Sequence, residues 1–266
     1  MTFAWSTVGA VHVNGVRLGL RQAGDPAGAP VLLLHGSGSN ARTWDRFAAR
    51  LTAAGRRAIA VDLRGHGTSG RPGGYPLTAL RDDVLALIDR LALRGVTLVG
   101  HSVGGYAALA AAQQTPDRVR GLVLEDLAAP PRTRTGMNGF NPLHALAAAA
   151  GIFTARRDYQ LRAVASILRQ LTRPDEAWWE RLGEVRPPTL ILSGGPASLI
   201  PPARLAEVTG AIPGARLTTI PVGHRVHSLA PDQFAAEVLG FLSRAGRPAR
   251  PHVAGYRHAG VRVGLE

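Results

Sequence analysis

Short, mostly apolar segments alternate with helical patterns along this chain. The apolar runs, rich in leucine and β-branched residues, occupy residues 31–34, 58–61, 96–99, 122–124, 190–192 and 217–220. Because they are brief and apolar on both faces, they are typical of buried parallel strands. Helical patterns lie between them, at residues 42–54, 78–93, 103–114, 202–210 and 231–244. The alternation predicts an α/β fold with a mostly parallel central sheet flanked by helices.

An antiparallel hairpin is predicted before this alternation begins. Residues 11–13 and 16–20 flank Asn14-Gly15, whose tolerance of positive φ suits a two-residue turn. The hairpin brings the expected sheet to about eight strands. In open sheets of this kind the ligand crevice lies beyond the carboxyl ends of the strands. We therefore expect site residues just after strands.

One interval breaks the alternation. Between residues 129 and 187, helical patterns at 142–150, 159–171 and 175–182 occur without a convincing strand, which predicts a helical cap inserted after the sixth strand. The core domain of the fold then comprises residues 1–128 and 188–245, and residues 129–187 form the cap. Residues 246–266 form a basic tail that we expect to be mobile or only loosely docked.

Composition narrows the classes of partner. The formal charge of +13 would suit nucleic acid, but the 31 basic residues are all arginine and are scattered along the chain, so we expect no nucleic-acid binding. The sequence has no stretch approaching eighteen uninterrupted apolar residues and no leader pattern, which predicts a cytoplasmic protein without a membrane partner. The absence of cysteine excludes disulfides, thiolate metal sites and a cysteine nucleophile.

The segment Gly100-His101-Ser102-Val103-Gly104 lies directly after a predicted strand and begins an alanine-rich helix. A turn from strand to helix strains the central serine, glycines two residues away relieve clashes, and the helix N-terminus lies beside the hydroxyl. A glycine-rich turn with a capping serine is the alternative, but it does not need this context. The pattern predicts Ser102 as a nucleophile.

This turn resembles that of the α/β-hydrolase family, and the resemblance extends across residues 10–244. Three further segments carry it: His35-Gly36-Ser37-Gly38, Asp62-Leu63-Arg64-Gly65-His66-Gly67 and Gly223-His224. It implies an oxyanion hole built from the backbone N–H groups of Ser37 and Val103, which would bind the substrate carbonyl oxygen. It implies no cofactor and no metal. The match is specific to the family and not to a substrate.

His224 is the best placed base among the nine histidines, because it follows the last strand and precedes the final helix. His35, His66 and His101 fall in the family's turn motifs, where histidines more often orient loops. His227 could line the pocket or support the turn. A His-x-x-His metal pair is the sharper interpretation of His224 and His227, but no further ligand lies nearby.

The acid departs from the family's usual pattern. Family members commonly place an aspartate after the seventh strand, yet residues 193–201 contain no carboxylate. Some members take the acid from the end of the sixth strand, where Glu125 and Asp126 lie. Because side chains alternate along a strand, only one of the two points readily into the crevice. We favour Asp126, and Glu125 or no carboxylate at all are the alternatives.

Together these residues predict a serine hydrolase that cleaves a carboxylic ester, lactone or thioester of a small molecule through an acyl-enzyme on Ser102. A cofactor-free haloperoxidase or perhydrolase would use the same residues. A ligand-binding or inactive protein on the hydrolase fold is the alternative from another class. Epoxide hydrolases and haloalkane dehalogenases attack through an aspartate where this chain has Ser102, which disfavours both.

The cap is expected to shape the pocket for a mostly apolar acyl or alcohol group. It offers apolar and aromatic side chains at Met137, Phe140, Leu143, Leu146, Ile152, Phe153, Trp178 and Trp179. Packing of the cap onto the core is an equally good interpretation for each of them. Four arginines, Arg132, Arg134, Arg156 and Arg157, are compatible with an anionic substrate. The sequence leaves the oligomeric state open.

Overall fold

A computed structural model describes residues 3–133 and 158–245 of the protein. Within these residues one sheet has eight strands, in the order β1-β2-β4-β3-β5-β6-β7-β8. The strands are β1 (Thr7–Val13), β2 (Val16–Ala23), β3 (Pro30–Leu34), β4 (Arg57–Val61), β5 (Val96–His101), β6 (Val119–Glu125), β7 (Thr189–Ser193) and β8 (Arg216–Thr219). Strand β2 pairs antiparallel with β1 and β4, and every other neighbouring pair is parallel. The predicted fold class is confirmed.

Helices cover both faces of this sheet. They are α1 (Asp45–Ala53), α2 (Leu77–Arg90), α3 (Val103–Gln114), α4 (Leu161–Leu171), α5 (Glu176–Glu180), α6 (Pro202–Ala211), α7 (Val226–Leu229) and α8 (Pro231–Ala245). Strand β3 shows the two-sided burial, since Leu32 and Leu34 join one apolar cluster while Val31 and Leu33 join the other. None of the helices in the described ranges is long and apolar enough to cross a bilayer.

Two predicted helix boundaries differ from the structure for local reasons. The predicted helix at 42–54 begins as a 3-10 turn, Ala41–Trp44, because the Asn40 side chain accepts a hydrogen bond from the Arg42 N–H at 2.9 Å. The predicted helix at 78–93 ends at Arg90, and Ala92 then adopts a left-handed φ of 49°. Both ends are therefore set by turn geometry rather than by apolar periodicity.

The described part of the insertion between β6 and β7 contains α4, α5 and a 3-10 turn at Arg181–Glu184, in agreement with a helical cap. Trp178 stacks on Tyr106 of α3 with ring centroids 6.2 Å apart. The Trp179 indole N–H donates to the carbonyl oxygen of Pro130 at 3.0 Å. Both tryptophans are buried and pack the cap onto the core. The predicted helix at 142–150 and the basic tail lie outside the described residues, so the boundaries of the cap and tail stay predictions.

Candidate active site

The predicted site residues follow the carboxyl ends of strands at one edge of the sheet. Ser102 comes directly after β5, Asp126 directly after β6, and His224 after β8. The Nδ1–H of His224 donates to Oδ2 of Asp126 at 2.8 Å. Residues that are 98 positions apart in the chain are thus brought together at the place where parallel sheets hold their ligands.

Ser102 lies on a sharp turn between β5 and α3. Its backbone has φ 51° and ψ −113°, a conformation that costs a non-glycine residue roughly 1–3 kcal/mol. A Cβ atom on Gly100 would lie 2.4 Å from the Gly104 carbonyl oxygen, and one on Gly104 would lie 2.3 Å from that of Leu34. The Ser102 N–H donates to the carbonyl oxygen of Glu125 at 2.8 Å. Close backbone packing therefore requires both glycines and anchors the serine turn to β6.

Asp126 is fully buried, and its carboxylate accepts three hydrogen bonds. The Gly194 N–H donates to Oδ1 at 2.8 Å, while the Ser198 hydroxyl and His224 Nδ1–H both donate to Oδ2. Gly194 and Ser198 belong to the loop after β7, which carries no carboxylate of its own. That loop supplies donors to an acid that comes from the neighbouring strand.

His224 is held at both its ring and its backbone. Because its Nδ1–H is donated to Asp126, Nε2 of the neutral ring is the unprotonated nitrogen. The His224 carbonyl oxygen accepts from Nε2–H of His101 at 2.8 Å. Burial lowers the pKa of His101 well below 6.5, and repulsion from His224 and His227 lowers this pKa further. His101 therefore stays neutral and acts as a donor that positions the His224 backbone.

The loop after β3 lies against the serine turn. A Cβ atom on Gly36 would come within 2.5 Å of Nδ1 of His101 and 3.3 Å of Cβ of Ser102. The next residue is Ser37, whose hydroxyl oxygen is buried and has no hydrogen-bond partner within the described parts of the chain. Val103 is the first residue of α3, so its N–H is one of the helix donors that lack an intrahelical acceptor. These are the two residues predicted to supply oxyanion donors.

Two buried histidines hold this loop in place. His35 donates its Nδ1–H to the carbonyl oxygen of Gly36 at 2.7 Å and accepts the Leu63 N–H at Nε2 at 2.9 Å. His66 accepts the Gly38 N–H at Nε2 at 3.1 Å. Burial and repulsion from His66 lower the pKa of His35 to about 3, and burial also lowers the pKa of His66. Neutral rings that accept backbone N–H groups orient loops and are poorly suited to carry protons.

A second carboxylate–imidazole pair, Glu125 and His227, was not predicted from the sequence. Glu125 accepts the backbone N–H of His227 at 2.8 Å and its Nδ1–H at 2.7 Å, and Nε2 of His227 lies 2.6 Å from the Thr43 hydroxyl oxygen. Glu125 and Asp126 both reach the turn that carries the two histidines, because Asp126 departs from strand geometry with φ 46°. The sequence does contain a signal for it: two adjacent carboxylates, Glu125 and Asp126, and two histidines three positions apart, His224 and His227.

The His-x-x-His pair is not arranged as a metal site. Both ring nitrogens of His227 already have partners, and Nδ1 of His224 is bonded to Asp126. Across residues 3–133 and 158–245, no group of three or more His, Cys, Asp or Glu side chains is placed to hold a metal ion.

Known hydrolases are similar to this chain over most of its length. The mouse (Mus musculus) sn-1-specific diacylglycerol lipase ABHD11 is 29% identical, over 83% of each chain. The enol-lactonase from Burkholderia xenovorans LB400 is 27% identical, with a TM-score of 0.75, and the alignment covers 88% of this chain and 100% of that one. A thermophilic esterase from Thermogutta terrifontis is 26% identical, with a TM-score of 0.72, over 91% and 100%. Residues 31–237 match the alpha/beta hydrolase family, and the chain belongs to that family.

Proposed function

We propose that this protein is a serine hydrolase that cleaves a carboxylic ester, lactone or thioester of a small molecule through an acyl-enzyme on Ser102. The observation that carries the proposal is the 2.8 Å hydrogen bond between Asp126 and His224 beside the strained Ser102 turn. A histidine held in this way presents an unprotonated Nε2, which is the group that activates a serine hydroxyl. An esterase and an enol-lactonase among the similar structures support an ester-type bond.

The reaction divides into two acyl transfers. In the first, His224 Nε2 takes the proton of Ser102 Oγ as Oγ attacks the carbonyl carbon, and it then gives that proton to the leaving alcohol or thiol as the C–O or C–S bond breaks. In the second, His224 takes a proton from water while the water oxygen attacks the acyl carbon. His224 gives this proton to Ser102 Oγ as the bond between the acyl carbon and Oγ breaks, and the carboxylic acid is released.

Charge develops at two places during these steps. The imidazolium of His224 is stabilised by Asp126, whose carboxylate is held in line by Gly194 and Ser198. The oxyanion of each tetrahedral intermediate is assigned to the N–H groups of Ser37 and Val103. One such donor contributes about 10²–10³ in kcat, because it is oriented before the charge develops.

The proposed substrate class depends on the composition of the cap. Trp178 and Trp179 pack onto the core, so an apolar pocket would depend on the remaining cap residues. Met137, Phe140, Leu143, Leu146, Ile152 and Phe153 lie outside the described residues, as do Arg134, Arg156 and Arg157. We keep an apolar acyl or alcohol group as part of the proposal, to be tested with an ester panel of increasing chain length.

Ser102→Ala tests the nucleophile directly. We expect the wild type to hydrolyse short activated esters and to take up one equivalent of a fluorophosphonate probe. Ser102→Ala should lose labelling and lower kcat by about 10⁴-fold or more, since the covalent route is removed. Ser243→Ala, at an exposed serine of α8, is the matched control. Undiminished turnover or labelling of Ser102→Ala would overturn the proposal.

A further inference from the structure

A second chain of a carboxylate, an imidazole and a hydroxyl runs beside the candidate active site. Glu125 is bonded to both the backbone N–H and Nδ1–H of His227, and Nε2 of His227 lies 2.6 Å from Oγ1 of Thr43. In the neutral tautomer that donates Nδ1–H to Glu125, Nε2 is unprotonated and accepts from the Thr43 hydroxyl. The order of groups is the same as in a nucleophile, a base and an acid.

This second chain lacks what acyl transfer needs, although Thr43 and His227 line a surface cavity of about 850 Å³. The Thr43 N–H donates to the carbonyl oxygen of Asn40 at 3.2 Å, and the Asp45 N–H donates to that of Arg42. These backbone donors near the Thr43 hydroxyl are already used, so they cannot stabilise an oxyanion. The His227 ring is also almost fully buried. The arrangement therefore cannot serve as a second nucleophilic centre.

The two ends of the second chain lie on the segments that must be aligned for catalysis. Glu125 ends β6, and its carbonyl oxygen accepts the Ser102 N–H at 2.8 Å. His227 belongs to α7, which begins two residues after His224. Glu125 therefore bonds to the turn of Ser102 through its backbone and to the turn of His224 and His227 through its side chain. Through its bond to His227, Thr43 connects the segment that follows the β3 loop to the same turn. The ring centroid of the neighbouring Trp44 lies 4.4 Å from that of His227.

Stability alone does not account for this arrangement. A buried carboxylate and imidazole lose their hydration, and a buried pair of this kind is often no more stabilising than well-packed apolar residues. Directional bonds, in contrast, fix the orientation of a turn. We propose that Glu125, His227 and Thr43 are positioning residues that set the place of His224 relative to Ser102. This inference rests on the proposed function.

Glu125→Gln removes the charge and keeps the size of the side chain. We expect kcat per active site, with sites titrated by the fluorophosphonate, to fall about tenfold to a hundredfold, because small displacements of a reacting group cost about this much. KM should change by less than about twofold, since the expected defect lies in proton transfer. Glu184→Gln, at an exposed glutamate, is the matched control.

A hydroxyl pair tests the other end of the chain. Thr43→Val keeps the shape but removes the donor to His227, and should lower kcat per titrated site about threefold to tenfold. Thr43→Ser restores the donor and should recover most of the loss. A purely structural role would reduce the fraction of titratable sites and leave kcat per site unchanged, and that result would overturn the inference.

A proton NMR measurement separates this inference from the proposed function. The Nδ1–H resonance of His224, assigned by its loss in His224→Asn, reports the hydrogen bond to Asp126 without any substrate. We expect it to shift or broaden in Glu125→Gln and not in Glu184→Gln. If it is unchanged, the inference is wrong. If the wild type neither labels nor turns over esters, the proposed function fails and this resonance alone decides the role of Glu125.

Discussion

Two carboxylate–imidazole pairs lie side by side in this protein, and they differ in what faces the second ring nitrogen. Both carboxylates come from the end of β6, both imidazoles lie on one turn, and the N–O distances are 2.8 Å for Asp126–His224 and 2.7 Å for Glu125–His227. The His224 side chain is 21% exposed, whereas that of His227 is 1% exposed and its Nε2 is bonded to Thr43. Under the proposed function, access to the second ring nitrogen, rather than the N–O distance of the pair, is what makes His224 a base and His227 a support.

A local break in strand geometry lets both carboxylates reach the turn that carries the two histidines. Glu125 is the last residue of β6, and Asp126 has φ 46°. In a regular strand, consecutive side chains point to opposite faces. The left-handed residue turns the second carboxylate towards the same turn as the first. Two adjacent residues can therefore hold two histidines that lie three positions apart.

The largest contrast should come from neutralising the acid. Asp126→Asn keeps the shape but loses control of the His224 tautomer, so kcat should fall by about 10⁴-fold, far more than for Glu125→Gln. Steady-state kinetics on an activated ester measure this, with Asp117→Asn, at an exposed aspartate, as the control. Nearly full kcat in Asp126→Asn would show that another group serves as the acid.

The loss of stability should be larger for the Glu125–His227 pair than for the Asp126–His224 pair, which is the reverse of the order expected for kcat. His227→Ala removes the imidazole and leaves the buried Glu125 carboxylate with only the backbone N–H of residue 227 among the bonds described above, so it should lower the free energy of unfolding by about 3–5 kcal/mol. His224→Ala leaves Asp126 bonded to Gly194 and Ser198, so a loss of about 1 kcal/mol is expected. Urea denaturation measures both values. Equal losses would remove the distinction between a support and a base.

Buried histidines without a bonded carboxylate should make the stability of the protein depend on pH. The pKa of His35 is lowered to about 3 by burial, so between about pH 6.5 and 3 the unfolded chain binds a proton that the folded protein does not. The free energy of unfolding should therefore decrease as the pH falls, by about 1.4 kcal/mol per pH unit from His35.

Urea denaturation in buffers from about pH 7 to about pH 4 measures this slope. His35→Gln should flatten it, whereas His12→Gln, at an exposed histidine, should not. A slope that is the same in His35→Gln and the wild type would mean that the acid sensitivity arises elsewhere, for example at His66 or His101, whose pKa values are also lowered by burial.

The smallest effect is expected from the donor in the loop after β7. Ser198→Ala removes one of the three hydrogen bonds to Asp126, while Gly194 and His224 still hold the carboxylate. We expect kcat to fall about tenfold or less, equivalent to about 1.4 kcal/mol. Kinetics beside Ser243→Ala test this. A loss as large as that of Asp126→Asn would make Ser198 a full partner of the acid.

The fold could be predicted because its signals are local. Apolar runs, helical periodicity and the Asn14-Gly15 turn each depend on neighbouring residues, and the structure confirms the sheet that they imply. The glycines around Ser102 carry a steric requirement that is visible in five residues. Asp126 was favoured from its place after β6, and its hydrogen bond to His224 fits that choice.

The second pair could not be predicted in this way. Its members are separated by 102 residues between Glu125 and His227 and by 184 residues between Thr43 and His227. No periodicity or turn pattern links such positions, and Thr43 lies within a 3-10 turn where the sequence predicts a regular helix. Partners fixed by tertiary packing become visible only once the strands are placed.

The position of the acid has a consequence for protein engineering. In the proposed mechanism the nucleophile Ser102 and the acid Asp126 follow the adjacent strands β5 and β6, and in the described loop after β7 it is Gly194 and Ser198 that donate to the Asp126 carboxylate. Pro196 and Ala197, at the tip of that loop, are exposed. Residues there can be varied, or the tip lengthened, without replacing a reacting group. In a relative whose catalytic aspartate lies in this loop, the same insertions or substitutions would risk displacing the acid.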